Sequence, residues 1–139
     1  MDIKQEELDK ALAQTVVSTL KGKSGKLEVA TLLLKNGANA NTEYSGENMF
    51  YHQIMSIDLH CYAFFYAAAP YEKNRLLRLI ENDFNLLRIL IEYGADKKVR
   101  YEGQSPSAYF KSEIKKYEEK IGAEEVIAYL HKVIALLRT

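Results

Sequence analysis

Four side chains near the middle of the chain, His52, Asp58, His60 and Cys61, are of the types that transfer protons, attack carbonyls or ligate metals. A thiol beside an imidazole can become a nucleophile, and paired imidazoles can hold a metal ion. Their spacing argues against both. Adjacent residues on a helix point about 100° apart, so His60 is badly placed to take a proton from Cys61, and His52 lies more than two turns away. No His-x-x-x-His or Cys-x-x-Cys spacing occurs. A buried, inert cysteine beside a partly exposed histidine is the expectation, with no catalytic residue, no metal ligand and no cofactor assigned. Asp58, set among apolar residues, is expected to serve as a cap or in a local salt bridge. A small catalytic or ligand pocket is the competing expectation, and it requires these four side chains to converge in a cleft.

Two short basic motifs invite a phosphate. Gly22-Lys23-Ser24 matches the end of a P-loop, but Val17 stands where the motif needs its first glycine, and the segment before it is helical rather than a strand. A turn between helices is the better reading. Lys97-Lys98-Val99-Arg100 is flanked by Asp96 and Glu102 and reads as a solvated loop. His131 is expected to be a polar surface or inter-helix residue. The whole chain of 139 residues balances nineteen basic against nineteen acidic groups. Residues 1–69 hold six basic and eight acidic groups, and residues 70–139 hold thirteen and eleven. Neither half is charged enough to steer a polyanion, so neither nucleic acid nor a membrane surface is an expected partner.

These residues need helices to position them. The length fits one domain. The single cysteine excludes an internal disulfide and fits a reducing compartment. The greasiest stretch, Leu59 to Tyr71, is too short to span a bilayer. The acidic start does not read as a targeting signal. A soluble, cytoplasmic protein is expected. The frame itself is an internal repeat. Residues 27–46 align with 84–103 at an offset of 57, which superimposes Gly37-Ala38 on Gly94-Ala95, Tyr44 on Tyr101, and Gly46 on Gly103. Val29, Leu32 and Leu33, like Leu86, Ile89 and Leu90, have the spacing of a buried helical stripe. A glycine suits the left-handed cap after each helix. Asn48 and Ser105-Pro106 mark the starts of the helices that follow. A further helix near Glu125–Leu130 matches Glu28–Leu33, and a first helix runs near Ile3–Leu20.

The ends Leu32-Leu33-Leu34-Lys35-Asn36-Gly37-Ala38-Asn39 and Ile89-Leu90-Ile91-Glu92-Tyr93-Gly94-Ala95-Asp96 resemble those of the ankyrin-repeat family. Gly103-Gln104-Ser105-Pro106 keeps that family's Ser/Thr-Pro start, whereas Gly46-Glu47-Asn48 keeps only the glycine and a capping residue. The resemblance implies an all-α, ankyrin-repeat-like stack of helix-turn-helix pairs, an α-solenoid. It divides the single domain into an N-terminal capping repeat (1–41), an enlarged middle repeat (42–98) and a C-terminal capping repeat (99–139). The extra residues of the middle repeat either lengthen its two helices or add a helix pair broken at Pro70. The family binds proteins without catalysis, through finger tips and first-helix faces. By that resemblance Tyr44, Ser45, Glu47, Met55 and Ser56 face a protein partner in one repeat, and Tyr101, Glu102, Gln104, Ser112 and Glu113 in the next. A small inhibitor or immunity-type protein neutralising a partner enzyme is the alternative form. Tyr44 and Tyr101 could instead staple the fingers by packing on each other. Of Tyr62, Phe64, Phe65 and Tyr66, three are expected in the core and one on the surface, where the aromatic insertion could join two copies as a homodimer.

Overall fold

The computed structural model describes residues 3–17 and 26–138. Gly22-Lys23-Ser24 lies outside the described residues. Among the described residues the chain is mostly helical, with α1 (Ile3–Val17), α2 (Lys26–Lys35), α3 (Met49–Tyr66), α4 (Pro70–Glu92), α5 (Pro106–Glu118) and α6 (Glu124–Arg138). The helices pack in sequential pairs, α1 with α2, α3 with α4, and α5 with α6. One continuous apolar cluster runs through all three pairs, from Leu12 and Val16 to Val133 and Leu137. No described helix is long and apolar enough to cross a membrane.

The two segments related by 57 residues share their backbone. After α2 the Ala38 amide donates to the Leu33 carbonyl, and the Gly37 amide to Leu34; after α4 the Ala95 amide donates to Leu90, and the Gly94 amide to Ile91. This is the Schellman pattern, and it needs a left-handed residue, here Gly37 at φ 102° and Gly94 at φ 94°. Beyond each cap the chain makes a tight hairpin. β1 (Glu43–Tyr44) pairs with β2 (Glu47–Asn48), and Tyr101 bridges Gln104. Ser45-Gly46 and Glu102-Gly103 form the two tips with positive φ at both residues, as a type I′ turn requires. Asn48 then caps α3 by accepting from the Phe50 amide at 2.7 Å, and Ser105 caps α5 by accepting from Ala108 at 3.2 Å.

Side chains also lock each hairpin to what precedes it. Asn41 accepts from the Asp96 amide at 2.6 Å and donates to the Gly94 carbonyl at 3.0 Å. In the first copy two residues of α1 do the same work: Asp9 accepts from the Asn39 amide, and Gln5 donates to the Gly37 carbonyl. The hairpins are thereby held in a row, each clamped by the element before it.

Two expectations about helices are settled here. The extra residues of the middle segment lengthen helices rather than add a pair: α3 has 18 residues and α4 has 23. Pro70 starts α4 instead of breaking it, because a first-turn proline has no intrahelical amide to lose. The stripe expected of α2 is corrected. Val29 and Leu32 are exposed, while Ala30 and Leu34 are buried. Their counterparts Leu86 and Ile89 are buried in α4. Tyr129, the counterpart of Leu32 in α6, explains the difference. It packs its ring on Phe84 of α4 and donates to the Ile80 carbonyl, so this position faces the preceding pair. α2 has no described pair before it.

Candidate interaction surface

The four side chains of the pocket expectation do not converge. The ring of His52 lies edge-on to Tyr44 and meets the Tyr44 carbonyl at 3.2 Å through Nε2. Asp58 turns toward the second hairpin and α5, His60 toward α4, and Cys61 into the core. Burial raises the Cys61 thiol well above its ordinary range, with the charges of Asp83 and Asp58 adding to the effect. A thiol kept protonated and covered is a poor nucleophile. Alkylation by iodoacetamide in the native state is expected to be undetectable over hours and complete on unfolding; rapid native labelling would contradict the burial.

His60 belongs to a polar cluster between α3 and α4 instead. Its Nδ1 lies 2.6 Å from Asp83 Oδ2, and the Ser56 hydroxyl donates to Asp83 Oδ1 at 3.0 Å. Gln53 donates to the Asp83 backbone carbonyl at 2.8 Å, leaving its buried Oε1 without a partner among the described residues. Lys26 of α2 is near enough for the Asp83 charge to act on it, although burial dominates and holds its ammonium below the usual lysine range. A serine, a histidine and an aspartate thus meet, but not as a hydrolytic triad. There the imidazole nitrogen facing the serine takes its proton, and the carboxylate holds the other nitrogen. Here the carboxylate holds the nitrogen nearest the serine and accepts the serine's hydrogen bond as well. The cluster ties helices together. Asp83 was legible in the sequence, since it interrupts the buried three-and-four spacing of Leu76, Ile80, Leu87 and Leu90.

Among the described residues Asp58 is neither a cap nor part of a salt bridge. It accepts from the hydroxyls of Tyr101 at 2.9 Å and Tyr109 at 2.7 Å, so one carboxylate of α3 holds the second hairpin and α5. Burial raises its pKa above 3.8, and the two phenol hydrogen bonds oppose that rise without cancelling it. Both phenols are raised in turn, first by burial and then by the carboxylate. Asp58 ionises at lower pH in the unfolded chain, so between the two values the folded state holds the extra proton, and stability falls as pH rises just above 3.8. Asparagine has no such window. Thermal unfolding of wild type and Asp58→Asn from about pH 3.5 to 7 should show the difference shifting in favour of the variant across that window. A pH-independent difference would contradict the raised carboxyl.

The paired tyrosines have unequal surroundings. Tyr44 is 39% exposed at its hairpin, against His52. Tyr101 is 5% exposed, packed on Tyr51 and Tyr109 with ring centroids 5.3 and 4.8 Å away. The two do not stack on each other. They are joined by a chain of rings, Tyr44, His52, Tyr51 and Tyr101 in order, which runs from one hairpin to the next and on to Tyr109. Tyr101 has no surface to offer a partner, and its place is corrected from contact to support. Ser56 and Glu113 are half-buried, Ser56 bonded to Asp83 and Glu113 to Tyr109 and Lys116. Ser45, Glu47 and Glu102 are exposed, and Met55, Gln104 and Ser112 half-buried.

The expectation of three core aromatics near the end of α3 is also corrected. Phe64 is buried and Phe65 packs on Tyr117, but Tyr62 and Tyr66 are 60% and 56% exposed, with their rings 4.6 Å apart. Leu59 is 58% exposed. His52, Met55, Leu59, Tyr62 and Tyr66 alternate spacings of three and four, the seam of a coiled-coil helix; Leu59, Tyr62 and Tyr66 face outward, while His52 and Met55 are half-buried, Met55 against the core. The seam runs about 21 Å from the Tyr44 hairpin to the end of α3. Compared with family models, with curated proteins and with solved structures, the chain matches none.

Proposed function

We propose that the chain is an ankyrin-like stack of three helix pairs, the middle one lengthened, and that it works as a non-enzymatic protein-interaction module. The observation that carries this reading is the exposed end of the α3 seam, Leu59, Tyr62 and Tyr66, an apolar patch that half-buried Met55 and His52 connect to the exposed hairpin tip. Contiguous apolar patches of this kind on a surface mark binding sites, whereas scattered apolar residues do not. The partner contacts the tips through Tyr44, Ser45, Glu47, Glu102 and Gln104. It contacts the first-helix faces through Met55, Leu59, Tyr62, Tyr66 and Ser112. Tyrosine suits the task, adding area and a polar tip at small entropic cost. Tyr101, Asp58 and Tyr109 hold the second hairpin in place, and Asp83 holds α3 on α4. Specificity then comes from a rigid surface rather than from moving groups.

Hydrogen exchange on the chain, alone and in complex with a protein captured from its native source, tests the location. Slowed exchange is expected at residues 43–47, 52–66 and 101–104. Protection confined to α2, α4 and α6 would overturn the assignment of the face.

A further inference from the structure

The α3 half of this face is self-complementary, and we propose that a second copy of the chain covers it through an antiparallel α3–α3 pair. The inference rests on the interaction-face reading above and names one occupant of it. A helix with an exposed three-and-four seam is matched by another helix with the same seam. Among the described helices, α3 exposes such a seam across Leu59, Tyr62 and Tyr66. Centred between His60 and Cys61, an antiparallel pair sets Met55 against Tyr66 of the other copy, and Leu59 against Tyr62.

Charge permits that approach and sets its direction. α3 contains no Lys, Arg or Glu, and its one acid, Asp58, is held by two phenols, so two copies meet without repulsion along the seam. At the hairpin end stand Glu43 and Glu47. At the other end stand Glu72, paired with Arg75, and Lys73, which donates to the Phe64 carbonyl at 3.3 Å, so this end carries one net positive charge beside the last turn of α3. An antiparallel pair brings the acids of one copy to the lysine of the other, and a parallel pair would oppose acid to acid.

Room is available as well. Residues 62–66 lie beyond the counterpart of the last residue of α5, so α5 offers no equivalent turn beside them. α3, five residues longer than α5, thereby carries Tyr62 and Tyr66 past its neighbour. Partner binding at the same strip must compete with self-association.

Sedimentation equilibrium across a concentration series, joined to directed cross-linking, tests the pair. Wild type is expected to dimerise, and Leu59→Glu with Tyr62→Glu, both at exposed positions, to lower the association constant by about a hundredfold or more while circular dichroism is unchanged. A disulfide needs Cα atoms within about 7 Å, and the two Met55 positions of an antiparallel pair are about 16 Å apart along the axis. Under mild oxidation a mixture of Met55→Cys and Tyr66→Cys chains should cross-link, and neither variant alone should; Cys61 is buried and takes no part. Wild type that stays monomeric, or Met55→Cys that cross-links to itself as well as it does to Tyr66→Cys, overturns the inference. A monomeric wild type whose captured partner is still lost on Leu59→Glu overturns the second copy alone, because the face then serves a different protein. If that substitution changes neither self-association nor capture, both readings fail.

Discussion

Alanine at Tyr101 should destabilise the protein by about 3 to 5 kcal/mol, whereas alanine at its counterpart Tyr44 should cost less than about 1 kcal/mol. The two residues hold the same place in matched hairpins, with the same turn after them. What differs is cover. Tyr101 is enclosed by the rings of Tyr51 and Tyr109, and its hydroxyl is spent on Asp58. Truncation would leave a ring-sized cavity and take one of two phenols from a carboxylate already costly to bury. Tyr44 would give up one edge contact with His52 and little burial. Urea denaturation of the two variants reads the difference directly. Phenylalanine at Tyr101 separates the parts, keeping the ring and losing only the hydroxyl, at about 1 to 2 kcal/mol. Equal losses for the two alanine variants would contradict the unequal burial. For the same reason a binding test at the tips should pair Tyr44→Ala with Glu102→Ala, not with Tyr101→Ala.

Alanine at Asp83 should cost about 2 to 4 kcal/mol. Asp83 is buried and accepts from His60 and Ser56, and its charge is opposed by that of Lys26. Removing the acceptor strands two donors on α3, which costs more than the pair contributes when it is whole. Asparagine keeps an acceptor oxygen and should recover part of the loss. The Gln53 bond to the Asp83 backbone survives either change, so the helices stay in register. Chemical denaturation with unchanged slope and a lower midpoint is the expected form. A loss below about 1 kcal/mol for alanine would mean that water satisfies the donors in the cluster.

Local signals carried the frame. Gly37 and Gly94 announce caps because few other residues take a positive φ cheaply, and Asn48 and Ser105 announce helix starts by their capping oxygens. The offset of 57 held down to the two residues of each hairpin tip. Burial was harder to read. Val29 and Leu86 look alike along the chain, and only the presence of a preceding pair decides which is covered. Tyr44 and Tyr101 differ for a similar reason, since Tyr51 and Asp58, which cover Tyr101, come from the preceding pair. The outward seam was open to view in the spacing of His52, Met55, Leu59, Tyr62 and Tyr66, but such spacing normally signals a buried face. It became a surface because α3 already has a second apolar face, through Phe50, Ile54, Ile57 and Phe64, turned to the core.

Affinity capture from the native source, comparing wild type with the combined variant Tyr44→Ala, Leu59→Glu and Tyr62→Glu, tests the interaction surface most directly. The three positions are exposed, so the variant should keep the wild-type helical content and melting behaviour. A specific protein partner should be retained by wild type and reduced about thirtyfold or more on the variant, the loss of a binding hot spot. Recovery of the same proteins in the same amounts by both would contradict an interaction surface at the hairpin tip and the seam of α3.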